Sequence, residues 1–315
     1  MRTPVRRRPL PAVAVLVLGC LLAVAGCGAG GGAGGGAPDA RRSAAVARMP
    51  ASAAPDGGGH AAPKPARPWN VSPASVAALG DSITRGFDAC DALADCPTVS
   101  WATGSDTAID SLTSRLTAAA PGTQSWNLAK SGARVSDLTT QARAAAAHRP
   151  AMVTVLIGAN DACTATPGAM TPVADFRADF DSALTYLHRT LPTTQILVAS
   201  IPDLQHLWSV GRTNVLGAQI WKLGLCPSML QDAQAQTPAA QQRRTAVRDR
   251  VIDYNTAMGQ VCAQFQRCRY DNGAVFDYRF TASQLSGWDF FHPNDAGQAQ
   301  LARILAGVAG LPPKP

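Results

Sequence analysis

The chain has 315 residues, 46% hydrophobic and 16% charged, which suits one folded domain of moderate size with appendages. Its formal net charge of +7 is uneven: residues 1–68 hold nine Lys/Arg against Asp39 and Asp56, and the remaining 19 basic and 19 acidic residues cancel. A folded part so near neutrality has no basic stripe for phosphates, which excludes nucleic acid as a partner.

In chain order, the first segment reads as a targeting signal. Arg2 and Arg6-Arg7-Arg8 precede an apolar stretch, Leu10 to Ala25, too short for a membrane span. It closes with Val24-Ala25-Gly26-Cys27, small residues before a cysteine, and resembles a bacterial lipobox. Residues 1–27 are therefore expected to be a signal peptide, with Cys27 the lipidation site. Ordinary secretory cleavage and an uncleaved anchor are the alternatives. The expected location is extracellular or at the cell surface, held to the cell membrane by the lipid. Residues 28–68, rich in Gly, Ala and Pro, cannot bury enough apolar area to offset their ordering entropy and are expected to be a flexible tether. The folded domain is expected over residues 69–315.

Apolar runs there alternate with helical patterns. Strands are predicted at Ser75–Leu79, Ser125–Leu128, Met152–Ile157, Gln195–Ile201 and Ala274–Phe276. The third and fourth are nearly continuous in apolar character, as parallel strands covered on both faces must be. Helices are predicted at about 107–120, 135–148, 172–190, 240–265 and 294–308, the last with Asn294 at its N-cap. This alternation predicts an α/β fold with a mostly parallel sheet and helices on both sides. Segment 203–239 fits neither pattern and is expected to be a long ordered loop, a place for substrate contacts. Six cysteines remain outside the leader, an even number in a chain read as exported. Six allow 15 pairings; loop geometry favours Cys90–Cys96 and Cys262–Cys268 as local staples and leaves Cys163–Cys226 to close a long loop. No spacing suits a metal, and no cofactor is expected.

Chemistry-bearing residues fall at the carboxyl ends of the predicted strands. Ser82, in Gly80-Asp81-Ser82-Ile83-Thr84, follows the first; Gly132 follows the second; Gly158-Ala159-Asn160-Asp161 follows the third. Asp289 and His292 share one short loop before the final helix. Acyl transfer needs a nucleophile, a base, a group that orients the base, and oxyanion donors. Ser82 supplies the first, His292 the second and Asp289 the third. The N–H groups of Ser82 and Gly132 and the Asn160 amide supply the donors. Asp81 is read as structural, accepting backbone N–H groups of its turn, and Asp161 as fixing the Asn160 loop. His148, His188 and His206 read as surface or helix-end residues, and His60 lies in the tether. Trp208 and Trp221 could line an acyl pocket or pack in the core; Arg134 could touch substrate or sit in solvent.

Gly80-Asp81-Ser82, Gly132, Gly158-Ala159-Asn160-Asp161 and Asp289-Phe290-Phe291-His292 together resemble, in order, the four blocks of the SGNH (GDSL-motif) hydrolases over about residues 74–308. The six cysteines and the segment around Trp208 and Trp221 are similar to exported actinobacterial esterases and lipases of that group. The resemblance implies a three-layer, flavodoxin-like α/β/α sandwich with a five-stranded sheet, hydrolysing carboxylic esters without a metal. It also implies a Ser82 turn less strained than a nucleophile elbow. In some members a backbone carbonyl replaces the triad carboxylate, which leaves Asp289 open at this point. The expected partner is a small-molecule or lipid ester, met by a monomer. A phospholipase, a polysaccharide O-deacetylase and a non-catalytic surface binding protein are the competing readings.

Overall fold

The computed structural model describes residues 68–311; the expected signal peptide, the expected lipidation site Cys27 and nearly all of the expected tether lie outside them. The chain opens on β1 (Ser75–Gly80), buried from Val76 onward, and turns into the single-turn helix α1 (Ser82–Arg85). Asp81 caps α1 by accepting from the Ile83 N–H at 3.0 Å, and Gly86 ends it in the left-handed region. Next come α2 (Leu112–Ala119), β2 (Gln124–Asn127), α3 (Leu138–His148), β3 (Met152–Leu156), α4 (Ala159–Ala162), α5 (Val173–Thr190) and β4 (Gln195–Val198). The rest of the chain forms α6 (Leu204–Gly211), α7 (Val215–Trp221), α8 (Pro227–Leu230), α9 (Pro238–Cys262), β5 (Cys268–Tyr270), α10 (Ala274–Asp277) and α11 (Asp295–Ala309).

All five strands are parallel in the order β2-β1-β3-β4-β5. Such a sheet needs both faces covered. α3, α5 and α9 lie side by side on one face, and α2 and α11 pack together on the other. The fold is thus the α/β/α sandwich expected. Phe176 of α5 stacks on Tyr254 of α9 with ring centroids 4.0 Å apart, one of several fully buried large side chains, each contributing roughly 2–3 kcal/mol of burial. The strand order reverses between β1 and β3, so the crevice beyond their carboxyl ends is where ligands enter such sheets.

Two expectations fail. Ala274–Phe276 is not a strand: Asp271 accepts from the N–H groups of Gly273 and Val275, each at 3.0 Å, and winds residues 274–277 into α10. The fifth strand is Cys268–Tyr270, whose one cysteine, one arginine and one tyrosine show no apolar run; Cys268 pairs with Ile196. Segment 203–239 is not a long loop. Asp203 caps α6 and Asn214 caps α7, each accepting two N–H groups, and α8 starts at Pro227. Arg244 of α9 orders the stretch between α8 and α9, donating to the carbonyls of Met229, Asp232 and Ala235 while stacking 4.0 Å from the Trp208 ring. Smaller differences are at helix ends: α2 begins at Leu112, not 107, and α9 ends at Cys262.

Disulfides join Cys90 to Cys96, Cys163 to Cys226 and Cys262 to Cys268. Among the described residues no helix is long and apolar enough to cross a membrane.

Candidate active site

The Ser82 side of the site is built by the sheet. Gly80 ends β1 with φ +147, and a Cβ there would stand 2.2 Å from the Leu156 carbonyl, so only glycine lets β1 and β3 run this close. Gln141 locks the position, accepting from the Gly80 N–H at 2.7 Å and donating to its carbonyl at 2.9 Å. One residue beyond Asp81, Ser82 stands at the first position of α1, where the backbone N–H has no intrahelical acceptor.

Gly132, after β2, has φ +82 with open space around it, so the backbone conformation and not crowding selects glycine. Asn160 sits in α4, directly after β3, and donates from Nδ2 to the Ala133 carbonyl at 2.9 Å. That bond uses one amide hydrogen and aims the other. Asp161 ties the same two segments, accepting from the Val135 N–H at 2.9 Å and the Thr171 hydroxyl at 2.8 Å. Burial pushes its carboxyl up to about 6.

His292 and Asp289 arrive on a segment without strand or helix, just ahead of α11. Asn294 caps α11 and so fixes where that segment ends. Gln298 of α11 donates to the Ile83 carbonyl at 2.8 Å and accepts from the Trp101 N–H at 3.0 Å, which joins the His292 side of the site to α1. Asp289 accepts from the N–H groups of Phe291 and His292 at 2.8 and 2.9 Å through one carboxyl oxygen. The other oxygen stands 2.5 Å from His292 Nδ1. The carboxylate, and not a backbone carbonyl, therefore orients this ring. Phe87 packs edge-on to the imidazole, ring centroids 5.2 Å apart. On its far side, His292 Nε2 lies 2.9 Å from Ser82 Oγ.

With Nδ1–H donating to the Asp289 carboxylate, Nε2 is left to accept the Ser82 hydroxyl proton. Burial disfavours a charged ring, yet the Asp289 carboxylate outweighs it and raises His292 above the ordinary histidine value. For Asp289, burial also opposes charge, and His292 with its hydrogen bonds holds the carboxyl below its usual range. Asp81 behaves differently. It is fully buried, its second carboxyl oxygen has no hydrogen-bond partner among the described residues, and burial pushes it up to about 7.

Ser82, Asn160 and His292 open on one cleft of about 210 Å³, walled by Leu204, Leu207, Leu225, Phe291 and the Cys163–Cys226 bridge. The two tryptophans do not line it. Trp208 Nε1 donates to the Ala233 carbonyl at 3.1 Å, and Trp221 Nε1 donates to the Asp289 carbonyl at 2.7 Å, so Trp221 braces the loop. Ser286 is a second brace that sequence reasoning missed. Its hydroxyl donates to the Asp88 carbonyl at 2.7 Å and accepts from the Trp288 N–H at 3.0 Å, while its N–H donates to the His292 carbonyl at 2.7 Å. Nothing in the spacing of a lone serine marks it. His148 ends α3 stacked on Trp126, His188 lies in the last turn of α5, and His206 meets the Phe280 carbonyl at 2.8 Å; none joins the site. Arg134 is exposed, with its backbone N–H bonded to Asp137. Among the described residues no group of His, Cys, Asp or Glu could hold a metal.

No curated protein matches this sequence. Among solved structures, the chain is similar to LAE5, an alpha/beta hydrolase enzyme from the metagenome of Lake Arreo, Spain, at 20% identity and TM-score 0.47, covering 75% of this chain and 94% of that one. It is also similar to Axe2, an acetylxylan esterase from Geobacillus stearothermophilus, at 19% identity and TM-score 0.46, covering 76% and 94%. The sequence profile of the family described as GDSL-like Lipase/Acylhydrolase matches residues 76–305, which run from the second residue of β1 through β5 and include the Ser82, Asn160 and His292 positions. The chain belongs to the GDSL-like lipase/acylhydrolase family, whose chemistry is ester hydrolysis.

Proposed function

We propose that the protein is a serine esterase that forms a covalent acyl-enzyme on Ser82. The observation that carries this reading is the line Ser82 Oγ, His292 Nε2 at 2.9 Å, His292 Nδ1, Asp289 at 2.5 Å, opening on a cleft. As Oγ bonds the ester carbonyl carbon, its proton passes to Nε2 and the carbonyl electron pair moves onto oxygen. The Ser82 and Gly132 N–H groups and the free Asn160 amide hydrogen meet that oxyanion. Collapse breaks the bond to the alkoxy group, which leaves with the Nε2 proton. Water then attacks the acyl carbon while giving a proton to Nε2, and the acid departs as Ser82 recovers it.

The cleft is smaller than the 300–1,000 Å³ of typical small-molecule sites, and its walls are mostly apolar. It suits a short acyl group with the remainder of the ester outside. Three disulfides and the leader support export, and Val24-Ala25-Gly26-Cys27 supports a lipid anchor holding a monomeric catalyst near lipid or wall polymers. Ser82→Ala tests the reading. It should cost about 10⁶-fold in kcat on a short p-nitrophenyl ester and abolish labelling by a fluorophosphonate, with circular dichroism unchanged. Retained turnover would dismiss Ser82 as nucleophile. A panel of short and long acyl esters, phospholipid and acetylated xylan then separates esterase from lipase, phospholipase and O-deacetylase.

A further inference from the structure

The strands fix where the turn after β2 stands, and not which way its middle peptide points. Ser131 and Gly132 are the middle residues of that turn, which is closed by the Ala133 N–H on the Lys130 carbonyl at 3.0 Å. Both ends are anchored: the Lys130 N–H donates to the Gly80 carbonyl at 3.1 Å, and the Ala133 carbonyl accepts from Asn160 at 2.9 Å. The peptide between Ser131 and Gly132 is not. Among the described residues neither its N–H nor its carbonyl has a hydrogen-bond partner, and the space beside Gly132 is open. The φ of +82 at Gly132 is that of a type II turn. A type I turn keeps the same ends and rotates the middle peptide by about half a turn, which would send the N–H to the opposite side.

One side chain grips the middle of this turn. The Ser131 hydroxyl donates to Oδ1 of Asp95, and Oδ2 of the same carboxylate accepts from Arg85 Nε at 3.0 Å. Arg85 closes α1, three residues after Ser82. Asp95 stands in the loop closed by the Cys90–Cys96 bridge, and the Asp88 N–H donates to the Ala94 carbonyl at 3.0 Å across that loop. A carboxylate shared by a guanidinium and a hydroxyl makes stronger bonds than a neutral acceptor would. We infer that Asp95 is a positioning residue: with Arg85 and Ser131 it clamps the Ser131–Gly132 peptide to the helix of the nucleophile and keeps the Gly132 N–H on the oxyanion. This deepens, and rests on, the reading of Ser82 as nucleophile and Gly132 as oxyanion donor. Here a side-chain bond, and not the strand ladder, sets the aim.

The clamp is partly exposed, 25% at the Arg85 side chain and 31% at that of Asp95, and such pairs add little to stability. Its loss should therefore be read in the chemistry and not in the melting temperature. Removing an oxyanion donor outright costs about 10²–10³ in kcat, whereas a peptide free to rotate still faces the oxyanion for part of the time. Ser131→Ala and Asp95→Ala should each lower kcat about tenfold with KM within about twofold. Affinity for a boronic acid that forms a tetrahedral adduct on Ser82 should fall by about the same factor, since one of its oxygens stands where the oxyanion forms. Ser131→Thr keeps the hydroxyl and should restore kcat to within about threefold of wild type.

The double variant decides whether the two side chains act as one device. Asp95→Ala combined with Ser131→Ala should be no slower than the worse single variant, and losses that multiply to about a hundredfold would overturn the clamp. So would either single variant with kcat within about twofold of wild type, or with boronic-acid affinity unchanged. If Asp95→Ala does not fold, Ser131→Ala alone decides. In ¹⁵N-labelled protein the Gly132 amide gives a reading that needs no turnover. Its exchange broadening should be greater in Ser131→Ala than in wild type, and identical relaxation in the two would also overturn the inference. Wild-type protein that neither hydrolyses esters nor takes a fluorophosphonate would defeat the esterase reading instead, while that amide still reports on the clamp.

Discussion

The two halves of the site are held in different ways. Ser82, Gly132 and Asn160 stand two to five residues past strand ends, so the hydrogen-bond ladder of β1, β2 and β3 places them directly. Asp289 and His292 have no strand beneath them. Their loop is held by side chains: Trp221 on the Asp289 carbonyl, Ser286 on its neighbours, and Gln298 from α11 across to α1. The first half is as rigid as the sheet, whereas the second is only as rigid as a handful of single bonds, each worth about 1 kcal/mol net. Substitutions around the loop should therefore reach the chemistry from a distance, and those around the sheet should act on stability first.

Asp289→Asn should show the largest loss on the loop side. It permits the wrong imidazole tautomer, and kcat should fall about 10⁴-fold at unchanged circular dichroism. Near-wild-type turnover would mean that the ring is held without its carboxylate. On the sheet side, Asn160→Ala removes one oxyanion donor and should cost about 10²–10³ in kcat with KM little altered, as read from steady-state kinetics. An effect on KM alone would place Asn160 on the ground-state substrate. Trp221→Phe deletes only the donor to the Asp289 carbonyl. A kcat about tenfold lower with melting temperature almost unchanged would confirm that the loop depends on single side-chain bonds.

The smallest effect concerns Asp81, in the sheet half. Its folded value of about 7 lies above the ordinary 3.8, so the folded state keeps a proton that the unfolded chain has already released. Its contribution to stability is complete below about pH 4 and declines as pH rises towards 7. Melting temperature followed between those limits should decline less in Asp81→Asn than in wild type.

The same division explains what could be read from the sequence. The strands that carry Ser82, Gly132 and Asn160 announce themselves as apolar runs, Met152-Val153-Thr154-Val155-Leu156 most clearly, and the order of blocks along the chain did the rest. β5 escaped because Cys268-Arg269-Tyr270 has no such run and owes its place to pairing with β4. α6 and α7 escaped although Asp203 and Asn214 stood in plain view as caps; at eight and seven residues each helix is only about two turns long, too short for periodicity to register. The braces Ser286 and Trp221 escaped for a deeper reason. Their partners lie 68 to 198 residues away, and no local pattern encodes so distant a bond.

The Cys163–Cys226 bridge has a consequence for recovery from damage. It joins the stretch just past Asn160 to the Gly224-Leu225-Cys226 part of the cleft lining and spans 63 residues, which in the chain-entropy picture restricts the opened molecule by about 4 kcal/mol. A molecule melted with its sulfurs still linked keeps two distant segments of the pocket lining within a few ångströms. Renaturation then starts from a pre-tethered mouth, and a thiol-rich medium, which opens the bridge and leaves Ser82 unchanged, would erase that head start.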